Sequence, residues 1–190
     1  MMKYDPRKHH RRSIRLAGYD YTLPGAYFIT LVTWQRECHL GEISGGKMKL
    51  SRTGKIAARE WALLNRRFPF LALDEFVVMP NHLHAIVHIK DQKNMGAGST
   101  TSVPKDEPLF HLASTESDSN PGVMPRSLGA VIRAYKANVT RYCNHAQFSG
   151  DKPVWQRNYY ERIIRNEREL DAIRSYIREN PARWFEDREN

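Results

Sequence analysis

Two histidines one residue apart, His82 and His84, are placed where they could do chemistry together. On a β-strand, side chains two apart leave the same face, roughly 6.5–7 Å from each other. Imidazoles so placed can close on one divalent ion through nitrogen–metal bonds of about 2.0–2.2 Å. The same pair also serves as two polar residues on a sheet face, and His-x-His is easily found in any sequence. His88 lies on that face two positions beyond Ile86, where a sheet-surface role fits better than ligation.

A second constellation lies near the C-terminus. Leu170, Ile173 and Ile177 form the apolar stripe of an amphipathic helix. Tyr176 and Asn180 stand one turn apart on one flank of it, their directions differing by about 40°. A tyrosine there is either a core-rim residue with a satisfied hydroxyl or a phenolic nucleophile. In the second case Asn180 supplies an oxygen donor to the same ion.

The elements that must position these residues follow from periodicity and breakers. Ala26 to Trp34 is rich in β-branched and aromatic residues and reads as a strand. Leu40 to Ile43, the Gly45-Gly46 turn and Met48 to Leu50 suggest a small ribbon. Ser51 and Thr53 can cap a helix through Arg67, with Ile56, Ala57, Glu60, Leu63 and Leu64 on helical spacing and Pro69 beyond it. Ala72 to Met79 and His82 to Ile89 read as two strands joined by Pro80-Asn81. In the second, His82, His84, Ile86 and His88 face one way and Leu83, Ala85, Val87 and Ile89 the other. Ser127 caps a helix from Leu128 to about Asn144. Pro153 to Ile164 is extended, and Tyr159 to Ile164 is strand-like. Asn166 with Glu169 makes a capping-box pattern for a last helix that runs to about Asn180, before Pro181. The order implies an α+β fold, a single domain of helices packed on an antiparallel sheet.

Composition bounds the rest. The 190 residues carry 30 Lys and Arg against 21 acids, a net charge of +9. Such a balance favours a phosphate-bearing partner. Residues 91–126 hold five acids and three bases among many Ser, Thr, Gly and Pro, and read as a flexible insertion. Residues 1–20 read as a basic arm, so the domain proper is expected over 21–190, interrupted at about 91–126. Cys38 and Cys143, far apart and without a CxxC spacing, argue against a disulfide framework and fit a cytoplasmic setting. No apolar run is long enough to span a membrane, and the basic N-terminus is followed by no apolar signal region.

Five blocks taken together carry a resemblance: Gly25-Ala26-Tyr27-Phe28, Phe76 through Pro80-Asn81-His82-Leu83-His84, Leu128 through Arg133-Ala134-Tyr135-Lys136, Val154-Trp155-Gln156-Arg157-Asn158-Tyr159-Tyr160-Glu161, and Ile164-Arg165-Asn166-Glu167 with Tyr176-Ile177-Arg178-Glu179-Asn180-Pro181. The chain resembles the HUH single-strand DNA transposases, in particular the small IS200-like and REP-associated tyrosine (Y1) transposases. The resemblance implies a ferredoxin-like antiparallel sheet with helices packed on it. It places the metal-binding His-hydrophobe-His motif on His82 and His84, the nucleophile on Tyr176 and the third metal position on Asn180, where many relatives carry Gln. It implies a divalent cofactor, Mg2+ or Mn2+, and single-stranded DNA with REP-like hairpins as partner, bound by a monomer or homodimer. Relatives often have His where this chain has Arg162, which could still grip a phosphate.

The chemistry is coherent. Attack by Tyr176 on a metal-polarised phosphodiester would leave a 5′-phosphotyrosine and a free 3′-hydroxyl, and a second 3′-hydroxyl could reverse the step. Arg7, Lys8, Arg11, Arg12 and Arg15 of the arm, with Arg133 and Lys136, are candidate phosphate contacts; Trp155, Tyr159 and Tyr160 offer rings for unpaired bases. The alternative is a catalytically silent nucleic-acid-binding module on the same scaffold. A related plasmid nickase is disfavoured by the short chain and the block order.

Overall fold

The computed structural model describes residues 19–91, 126–146 and 153–186. The arginines and lysine named in the basic arm, and nearly all of the expected insertion, lie outside the described residues. Strand β1 (Gly25–Val32) alternates cleanly: Tyr27, Ile29 and Leu31 enter one core, while Ala26 and Phe28 pack with a second, smaller one. Its neighbours are β5 (His82–Ile89) and β6 (Tyr160–Ile164), and β4 (Leu71–Val78) pairs beyond β5. The sheet order is β4-β5-β1-β6 and every pairing is antiparallel. With α1 (Arg52–Ala62) between β1 and β4 and α3 (Leu128–His145) between β5 and β6, this is the βαββαβ connection of a ferredoxin-like fold.

A ribbon of β2 (Gly41–Ser44) and β3 (Lys47–Leu50) is inserted before α1; Gly45 and Gly46 turn it with φ of 58° and 71°. Left-handed backbone at both turn positions is what glycine permits at low cost. Ser51 caps α1, its side chain accepting from the Gly54 amide, and Gly54 lets the first turn approach the Leu40 carbonyl, where a Cβ would collide. The helix expected through Arg67 is interrupted at Leu63, with α2 (Leu64–Arg67) following as one more turn. Trp61 of α1 and Tyr135 of α3 meet edge to face at 5.1 Å and are both wholly buried. They head the large core, on the sheet face that Leu83, Ala85 and Val87 enter.

Helix α4 (Glu167–Glu179) covers the other face. Leu170, Ile173 and Ile177 pack on Ile86, Ile164, Phe28 and Val77. The chain then continues through Pro181 as a 3₁₀ segment, Asn180–Glu186, and does not end at the proline. Proline is tolerated in a first helical turn because its missing N–H has no partner there. The first strand is shorter than expected: Trp34 belongs to a tight turn, Trp34–Arg36, after Val32. No helix among the described residues is long and apolar enough to cross a membrane.

Candidate active site

The alternation of β5 sends His82 and His84 to the α4 face, where they are 0% and 3% exposed. Their rings lie 4.4 Å apart between centroids. Each Nδ1 is held. His82 Nδ1 is 2.8 Å from Asn81 Oδ1, and an amide oxygen only accepts, so the proton sits on Nδ1. His84 Nδ1 is 2.8 Å from the Thr30 hydroxyl, supplied by β1 because Thr30 is the direct cross-strand partner of His84. Such contacts fix the orientation of each ring and leave each Nε2 on the side away from its held Nδ1. Phe28 stacks on His84 at 5.3 Å and Trp184 on His82 at 5.9 Å, so both imidazoles are walled by aromatic rings.

Helix α4 brings the second constellation to them. Asn166 caps it by accepting from the Glu169 amide, while the Glu169 carboxylate accepts from the Arg165 amide. Glu167 and Glu169 near its N-terminus and Arg178 in its last turn suit the helix dipole. The Tyr176 hydroxyl lies within hydrogen-bonding distance of His84 Nε2, at 3.1 Å, so His84 bridges Thr30 and Tyr176 through its two ring nitrogens. Tyr176 is 42% exposed, with its ring leaning on Phe28 and His84. Asn180, one turn on, is 2% exposed. The four residues named from the sequence thus belong to one side of the sheet, spread over β5 and the end of α4.

A clamp sets the register of α4. Pairing of β4 with β5 slips between Leu73 and Phe76, a bulge that contains Asp74 and Glu75. Asp74 accepts from Arg174 Nε and Nη2, at 2.7 Å for the latter, and lies 2.9 Å from His88 Nε2. Glu75 accepts from Arg178 at 2.8 Å. Arg174 and Arg178 stand two residues either side of Tyr176. The Arg174 guanidinium, helped by His88, holds the Asp74 carboxyl down to about 2.

Of the remaining described candidates, all but Tyr160 and Arg162 lie together on α3 and the segment leading into β6. Lys136 donates to the carbonyls of Gln156 and Asn158 at 2.9 and 2.8 Å and sits 5.6 Å above the Tyr159 ring; burial pushes its ammonium down to about 8. Arg133, Lys136, Arg141, Arg157 and Trp155 border a groove of about 750 Å³. Trp155 is itself 5% exposed, its ring against Tyr135, so the side chain works inside the fold. Arg162 pairs with Phe28 in register and meets Glu169 at 2.5 Å, on the α4 face. Sequence reasoning did not single out Thr30, Trp184 or the Asp74–Arg174 pair. Their contacts depend on strand register, on a bulge and on the C-terminal 3₁₀ segment; only Asn81, adjacent to His82, carried a local signal.

Among the described residues no three His, Cys, Asp or Glu side chains gather as a metal site. The two imidazoles and the Asn180 side chain, all at most 3% exposed, offer nitrogen and oxygen atoms of the types that divalent ions accept. No family model matches the chain. An uncharacterized protein of Haemophilus influenzae is 37% identical over 185 residues, covering 97% of this chain and 96% of that one. Among solved structures, a REP-associated tyrosine transposase bound to a REP hairpin superposes with a TM-score of 0.56, at 17% identity, over 90% of this chain and 74% of that one. That likeness establishes a shared fold.

Proposed function

We propose that this chain, which belongs to one family with the uncharacterized Haemophilus influenzae protein, is a transposase. On this reading it nicks and rejoins single-stranded DNA at hairpin-bearing sites through a 5′-phosphotyrosine. The observation that carries the proposal is the Tyr176 hydroxyl at 3.1 Å from His84 Nε2, beside buried His82. An exposed phenol against oriented imidazoles is an arrangement for an attacking oxygen, and a core-rim tyrosine would not require it. The fold shared with a transposase that binds a REP hairpin supports the substrate class.

His82, His84 and Asn180 would hold Mg2+ or Mn2+, which when bound supplies positive charge to a scissile phosphate. Asn81 and Thr30 keep both Nε2 atoms facing the site. His84 Nε2 would ligate the ion, and the Tyr176 hydroxyl stands 3.1 Å from that nitrogen, which keeps the attacking oxygen beside the place where the phosphate would be held. Phe28 and Trp184 keep water from the imidazoles. Attack by the Tyr176 oxygen forms the phosphotyrosine bond, breaks the bond to the 3′ oxygen and releases a 3′-hydroxyl that takes up a proton. The reverse step needs no outside energy because one phosphodiester replaces another.

The test is adduct formation. A hairpin oligonucleotide with single-stranded flanks, end-labelled and incubated with protein and Mg2+ or Mn2+, should give a labelled species that survives denaturing electrophoresis. Tyr176→Phe should abolish it while leaving binding intact. Tight binding by the parent with no adduct under any divalent ion would favour the catalytically silent binding module.

A further inference from the structure

The turn after β1 holds an exposed indole in a costly backbone. Gln35 and Arg36, both non-glycine, have φ of 54° and 58°. Consecutive left-handed residues of this kind are sterically unfavourable and persist only where surrounding contacts over-determine them. Here they do. The Thr33 amide and hydroxyl both reach the Asn81 carbonyl, at 2.8 and 2.9 Å, and the hydroxyl is shared with the Glu37 carbonyl at 2.7 Å. The Trp34 amide donates to Val154, the Arg36 amide to Thr33 and the Leu40 amide to Pro80. The turn is therefore fastened to Asn81, whose side chain orients His82, and it stands at the active-site end of the sheet.

The side chains it presents are also unusual. Of the four tryptophans, Trp61, Trp155 and Trp184 are at most 8% exposed, whereas Trp34 is 37% exposed. Gln35 and Arg36 beside it are exposed as well. A stacking face, an amide able to pair with a base edge and a guanidinium for phosphate are the groups that grip an unpaired nucleotide. Resting on the single-strand DNA reading above, we infer that Trp34, Gln35 and Arg36 form a nucleotide-binding element. The element takes one unpaired base of the strand entering the active site, with the base on the Trp34 ring and the adjoining phosphate on Arg36. Strain in the backbone serves to hold the three side chains ready before DNA arrives.

Tryptophan emission gives a direct readout because Trp34 is the exposed one. With full-length Tyr176→Phe protein, to prevent cleavage, a hairpin oligonucleotide with single-stranded flanks is titrated at fixed low salt. The indole emission should be quenched on binding, and Trp34→Ala should remove the quench and weaken affinity about 5- to 100-fold. One abasic position scanned along the flank should reproduce that loss at a single site, and should cost nothing further in Trp34→Ala. Gln35→Gly, which relaxes the left-handed backbone, should leave the melting temperature unchanged or higher while weakening binding. Tight binding with no quench, or with Trp34→Ala as strong as the parent, overturns the inference and spares the enzyme reading. Failure of the parent to bind single-stranded DNA at all overturns both.

Discussion

Replacing Asp74 with asparagine removes the charge that fastens α4 to the sheet while preserving shape. The carboxylate is 15% exposed and accepts from Arg174 through two nitrogens, with His88 as a further partner. Its pKa falls from 3.8 to about 2 on folding, held down first by the Arg174 hydrogen bond. That depression corresponds to about 2 kcal/mol of stability at neutral pH, at 1.36 kcal/mol per unit. Because the folded value lies below the unfolded one, the stabilisation is complete above about pH 4–5 and is lost as pH falls through about 2. Asp74→Asn should therefore unfold in urea with about 2 kcal/mol less stability at pH 7, roughly 4–8 °C in melting temperature. The gap between parent and variant should shrink steadily from pH 5 to pH 2. Adduct formation in a single turnover should slow more than DNA binding weakens, because Tyr176 sits between the two clamped arginines. Equal stability at pH 7, or a gap that stays constant down to pH 2, would refute the reasoning.

Other consequences are equally open to measurement. Thr30→Val, nearly isosteric at a 4% exposed position, removes the partner of His84 Nδ1; adduct formation should fall roughly 10–100-fold, with Thr30→Ser restoring most of it. His82→Ala should cost about 2–3 kcal/mol in denaturant unfolding, from a cavity under Trp184 and the lost Asn81 bond, and cut cleavage by roughly two orders of magnitude. Lys136, lowered by burial to about 8, carries more protons unfolded than folded between there and its ordinary 10.5, so it makes stability rise with pH over that window; Lys136→Met should remove this contribution in urea titrations. Affinity for a hairpin oligonucleotide should drop steeply between low and physiological salt, a net charge of +9 being expected to displace condensed counterions, and a flat response would contradict phosphate contact.

Much of this architecture was legible in local pattern. Strict alternation over His82–Ile89 was enough to place both histidines on one face, and the apolar spacing of α4 put Tyr176 and Asn180 on one flank. The Asn166–Glu169 capping pattern located the start of that helix to the residue. What local pattern could not carry is long-range register. Thr30 meets His84 because β1 and β5 pair with that offset, and a slip of one residue would turn Thr30 to the other core. Asp74 and Glu75 reach Arg174 and Arg178 through a bulge that no alternation announces. Leu63 breaks an apparently continuous helical period, and Pro181, read as a stop, is accommodated in the first turn of a 3₁₀ segment that carries Trp184 over His82.

The central claim is that Tyr176 becomes the covalent carrier of a DNA strand. It is tested most directly by trapping the adduct with a hairpin oligonucleotide, digesting both partners and locating the nucleotide remnant by peptide mass. The account predicts a single modified peptide containing Tyr176, linked through a 5′-phosphate, with the released fragment ending in a free 3′-hydroxyl and both signals absent in Tyr176→Phe. A remnant on Tyr135, Tyr142, Tyr159 or Tyr160, or an adduct undiminished in Tyr176→Phe, would contradict it.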